Sequence, residues 1–135
     1  MRRFSITSAL LAVVCFAVFV TPALAGTARW AHLRSVTITI ANGSLPPPYG
    51  RPHVKRFKTA HGLKRVTAAL NANGIAARPP VSSGGCTGGE EVTIAISRRN
   101  GSTVRLSAYR CAGQTFGGIA GNLPKFLSAV GAGTL

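Results

Sequence analysis

The sequence predicts an α+β domain: an antiparallel four-stranded sheet with two helices on one face, in the order ββαββα, held by one disulfide. Three observations point there. Strand-length segments alternate apolar and polar residues, as in Val36-Thr37-Ile38-Thr39-Ile40. Two other segments place apolar residues at helical spacing behind a capping residue. Beyond a leader segment, only Cys86 and Cys111 remain to be paired.

The leader comes first. Arg2 and Arg3 precede an uncharged apolar run from Ser8 to Val20, Pro22 breaks it, and Ala23-Leu24-Ala25 offers the small-x-small triplet that signal peptidase accepts. The run falls short of the ~20 residues of a membrane span. A lipoprotein attachment at Cys15 does not fit, because more apolar residues follow it and Val14 stands where a small residue is wanted. The expected division is therefore a signal peptide over 1–25 and one secreted domain over 26–135, with no later segment apolar enough to span a membrane. The expected location is extracellular or cell-wall associated.

Within that domain, Val36–Ile40 is a half-buried strand ended by Asn42-Gly43-Ser44. Leu45-Pro46-Pro47-Pro48-Tyr49-Gly50-Arg51-Pro52 then reads as a stiff, extended loop, since its four prolines cannot donate to a sheet ladder. His53 to Lys58 is a weaker strand, with Val54 and Phe57 on no consistent face. Thr59 caps a helix that carries Leu63, Val66 and Leu70 along one side and stops at Asn73-Gly74. Pro79 to Gly85 reads as a flexible connection.

A hairpin follows whose register the apolar faces decide. Val92, Ile94 and Ile96 share one face of its first strand, and Val104, Leu106 and Ala108 one face of its second. A two-residue Asn100-Gly101 turn would set these faces against each other. A three-residue loop, Arg99-Asn100-Gly101, pairs Ile94 with Leu106 and Ile96 with Val104. That register brings Cys111 just beyond Glu90, within a short loop of Cys86. A Cys86–Cys111 bridge would be worth roughly 3 to 3.5 kcal/mol in the chain-entropy account. Gly113 to Gly121 reads as turn-like, and Asn122-Leu123-Pro124 opens a last helix bearing Phe126, Leu127 and Val130.

Charge bounds the function. The chain has 16 Lys and Arg against 2 acidic residues. Both acids are glutamates, Glu90 and Glu91, and two of the basic residues lie in the leader, so the domain from Gly26 carries a net charge of +12. A domain so basic is drawn to polyanions such as nucleic acid, wall polymers or anionic head groups. The shortage of acids removes most hydrolases. Glycoside hydrolysis needs two carboxyl groups flanking one bond, and neighbouring Glu90 and Glu91 on a strand face opposite ways. Without Asp there is neither an aspartic dyad nor a Ser-His-Asp triad. His32, His53 and His61 have no metal-site spacing, so no metal and no cofactor is expected. The glycine-rich stretch at 113–121 lacks the order of a phosphate loop.

Two sharper alternatives survive. A small basic ribonuclease could use His53 and His61 as acid and base, with Lys55 for the phosphate. A protease inhibitor could present the stiff loop 45–52. Sequence-specific nucleic-acid readout has no support, because strand-borne aromatics are sparse. The residues that best fit partner binding are Pro47, Pro48, Tyr49, Arg51, Lys55, Arg56 and Lys58, at the proline loop and the basic strand after it.

The Val-x-Ile strand, the helix ending in Ala68-Ala69-Leu70-Asn71-Ala72 and the strand pair from Cys86 to Cys111 around a polar-Gly turn resemble small exported proteins and lipoproteins of Gram-positive bacteria, especially actinobacteria. The chain is also similar in size and habitat to secreted domains of the subtilisin-inhibitor type, which use two disulfides. The first resemblance implies fold and export and no activity. The reading as a whole is an exported, non-enzymatic, basic domain binding an anionic polymer or a protein partner at or outside the cell surface.

Overall fold

The computed structural model describes residues 29–42, 50–82 and 88–133. They form six strands and two helices: β1 (Leu33–Ala41), β2 (His53–Phe57), α1 (Ala60–Ala72), β3 (Ala76–Val81), β4 (Glu90–Arg98), β5 (Thr103–Cys111), β6 (Gln114–Ala120) and α2 (Leu123–Ala129). The strands make one sheet in the order β2-β1-β4-β5-β6-β3, and every neighbouring pair is antiparallel.

This corrects the expected four-stranded ββαββα sheet: the connection expected from Pro79 begins inside strand β3, and the turn-like stretch from Gly113 to Gly121 holds strand β6. β3 contains Pro79 and Pro80, which a central strand would not tolerate, but it lies at the sheet's edge and pairs with β6 alone. The Arg78 side chain supplies donors where the prolines have none. Its Nε donates to the Gly117 carbonyl at 3.1 Å and its Nη2 to the Thr115 carbonyl at 3.0 Å. β6 is a strand despite its glycines. Ala112 (φ 49°) and Gly113 (φ 78°) form a two-residue turn of the kind that closes tight hairpins, so Cys111 pairs with Gln114.

Cys111 is disulfide-bonded. Cys111 ends β5 as a buried residue, and Cys86 lies outside the described residues. So do the leader 1–25 and Pro47, Pro48 and Tyr49 of the proline loop.

The other elements follow the sequence pattern. Ile94 pairs with Leu106 and Ile96 with Val104, and Gly101 takes φ 87° in the three-residue loop. Thr59 caps α1 by accepting from the Gly62 N–H at 3.2 Å, and Asn122 caps α2 by accepting from the Lys125 N–H at 3.1 Å. One core results. Val36, Ile38 and Ile40 pair with Ile96, Ile94 and Val92, and this stripe packs beneath Val66 and Leu70 of α1 and Leu123, Phe126 and Leu127 of α2. Each such side chain contributes roughly 1.5–3 kcal/mol on burial.

The opposite face of the sheet carries Thr37, Thr39, Ala95, Ser97, Arg105 and Ser107, and among the described residues no helix packs over it. The edge strands β2 and β3 are consecutive around α1, so this helix carries the chain from one edge of the sheet to the other. Among the described residues, no helix is long and apolar enough to cross a membrane.

Candidate anion-binding site

The residues proposed for nuclease chemistry are dispersed. His53 opens β2 and His61 sits in the first turn of α1, beyond the other end of that strand. The length of β2 alone is about 13 Å at the usual strand rise, too far for both imidazoles to grip one phosphate. Lys55 is engaged elsewhere: its Nζ donates to the Gly131 carbonyl at 2.8 Å. The Nε and Nη2 of Arg65 donate to the Ala129 carbonyl at 3.3 and 2.9 Å. Both cations thus satisfy carbonyls that the end of α2 leaves unpaired. Of the other partner-binding candidates, Arg51, Arg56 and Lys58 are exposed along the β2 edge. Among the described residues, no three His, Cys, Asp or Glu side chains gather as a metal site would require.

A different group of cations does converge, at the β4–β5 hairpin end of the sheet, and it is built from the lead-in Arg29–His32. Trp30 anchors that lead-in. Its backbone N–H donates to Asn71 Oδ1 and its carbonyl accepts from Asn71 Nδ2, both at 3.0 Å. Its indole Nε1 donates to the Ile75 carbonyl at 2.6 Å, and the residue is 3% exposed. The last turn of α1 thereby fixes where the lead-in runs. His32 then turns the chain into β1 with a φ of 53°, a left-handed conformation rare for any residue but glycine. The His32 carbonyl accepts from the Arg99 N–H at 2.9 Å, tying the lead-in to the hairpin.

Arg98 closes the arrangement. It ends β4 opposite Leu33, and its guanidinium carbon lies 5.4 Å from the centroid of the Trp30 ring. Its Nε is buried with no hydrogen-bond partner among the described residues. An unsatisfied donor of this kind costs about 1–3 kcal/mol. The hairpin loop beside it is held by Asn100, whose Oδ1 accepts from the Ser102 N–H at 3.0 Å and the Ser102 hydroxyl at 2.7 Å.

Two adjoining clefts result. One, of about 550 Å³, is lined by Arg29, Ala31, His32, Arg98, Arg99 and Asn100. The other, of about 460 Å³, lies between the lead-in and α1; it shares His32 and Arg99 and adds Lys64. Among the described residues, no carboxylate lines them. Glu90 and Glu91 begin the strand that Arg98 ends, which puts Glu91 about 23 Å away along β4. There Glu90 Oε2 pairs with Arg110 Nη1 at 3.5 Å.

Sequence reasoning missed this site because Arg29 and His32 stand in a segment with no pattern of its own. Two signals were present: an Arg98-Arg99 pair beside a tight turn, and a lone tryptophan in an otherwise polar lead-in. Comparison of the chain with protein-family models, with curated proteins and with solved structures finds no match. What fold and site define is a two-layer α+β domain with a cationic cleft at one end of its sheet.

Proposed function

We propose that this is an exported, non-enzymatic domain that binds an anionic polymer at or outside the cell surface, through the cationic hairpin end of its sheet. One observation carries the reading. The cations Arg29, Arg98, Arg99 and Lys64 line adjoining clefts, while the two acids lie at the opposite end of β4. Like charges gathered without a counter-charge repel one another, and an anion in the cleft relieves that repulsion. Placement outside the cell rests on the leader pattern of residues 1–25. The scatter of His53 and His61 supports a binding role over cleavage.

The test is a salt titration with fluorescent RNA and DNA, following mobility and chain length together, with the purified protein. Affinity should fall steeply as salt rises, with a log–log slope of about −3 to −4 for four cationic contacts. Affinity that does not depend on salt would overturn the proposal. So would cleavage that disappears in His53→Ala.

A further inference from the structure

We infer that the larger cleft is a site for a tetrahedral oxyanion, the phosphate or sulfate ester group of the polymer, with Arg98 as its specificity-determining residue. This rests on the anionic-polymer reading above and names the chemistry that the cleft selects.

The inference starts from how Arg98 is held. Arg98 lies within cation–π reach of Trp30, its guanidinium carbon 5.4 Å from the ring centroid, and its N–H donors form a planar fork. Trp30 is itself locked by Asn71 and Ile75, which fixes the ring beside which Arg98 sits. The Arg98 Nε–H is a buried donor with no acceptor among the described residues. An oxyanion oxygen would supply one after a small rotation of the side chain.

Arg29, His32 and Arg99 line the same cleft. A carboxylate has two oxygens in one plane and is satisfied by a single guanidinium fork. Donors arriving from the lead-in, from the end of β4 and from the hairpin loop suit an acceptor whose oxygens point out of one plane. Phosphate and sulfate groups have that shape. Lysine in place of Arg98 would keep the charge and lose the planar fork.

The experiment compares three polymers at matched salt: polyphosphate, dextran sulfate and polyglutamate. The emission of Trp30, the one tryptophan in the chain, reports on each. At least one of the first two should bind about tenfold more tightly than polyglutamate. Arg98→Lys should erase that margin while leaving polyglutamate affinity within about twofold. The stronger of polyphosphate and dextran sulfate identifies the source of the oxyanion.

Equal affinity for all three polymers, or a margin that survives Arg98→Lys, would overturn this inference and leave the polyanion reading standing. No binding of any polymer would overturn both. A second readout needs no variant. Inorganic phosphate or sulfate added to ¹⁵N-labelled protein should shift the Arg98 Nε–Hε resonance, and an unmoved resonance overturns the inference.

Discussion

The guanidinium of Arg98 sits 5.4 Å from the centre of the Trp30 ring, although the two residues are 68 positions apart. The pairing exists because each partner is fixed separately, Trp30 by α1 and Arg98 by the β1–β4 ladder. A change in either anchor should therefore be felt at the cleft.

Trp30→Phe tests the first anchor. Phenylalanine keeps a flat ring but cannot donate to the Ile75 carbonyl, which the indole reaches at 2.6 Å. Removing the donor from this buried bond should cost about 1–3 kcal/mol. Urea unfolding should show the midpoint falling with little change in slope.

Asn71→Ala removes both hydrogen bonds that clamp the Trp30 backbone. Stability should fall by roughly 1–2 kcal/mol, and Trp30 emission should shift to the red as the lead-in loosens. Polyanion affinity should fall with it, because Arg29 and His32 are positioned by that segment.

Two glycine substitutions should differ in size. A Cβ at Gly121 (φ 94°) would lie 2.5 Å from the Asn73 and Gly74 carbonyl oxygens. At Gly101 (φ 87°) it would meet nothing within 4 Å. Gly101→Ala should cost only the backbone preference, about 1 kcal/mol. Gly121→Ala should cost at least about 2 kcal/mol more than that, as comparative thermal unfolding would measure.

Charge removal should depend on position. Arg99→Ala takes a cation from both clefts and should reduce the salt slope of polyanion binding by about 1. Lys125→Ala removes the same charge from α2, away from the clefts, and should leave the slope unchanged. Lys55→Ala should act on stability instead, by about 0.3–1 kcal/mol, since Lys55 bonds the Gly131 carbonyl at the end of α2.

The sequence made legible those parts of the fold that rest on periodicity. The hairpin register followed from the faces of Ile94 and Leu106, and both helices from their caps and apolar stripes. β3 and β6 were hidden because their side chains say the opposite of their structure. Pro79 and Pro80 are tolerated only because β3 is an edge, and being an edge is a property of the assembled sheet. The glycines of β6 serve close approach: a Cβ at Gly117 would lie 3.0 Å from Ala108 Cα. The cleft was illegible for a related reason. Arg29 and Arg98 meet only through a tertiary contact, and composition records their charge without their place.

The outermost strands have a consequence for life in a crowded medium. An open sheet offers each edge as a template on which another chain can pair, which is how fibrils and swapped oligomers begin. Here neither edge invites it. On β3 the consecutive prolines interrupt the row of donors that an incoming strand would need. On β2 the backbone is exposed but flanked by Lys55, Arg56 and Lys58, so a second copy approaching it meets its own sign of charge. High net charge and blunted edges both oppose edge-to-edge pairing between copies of the protein.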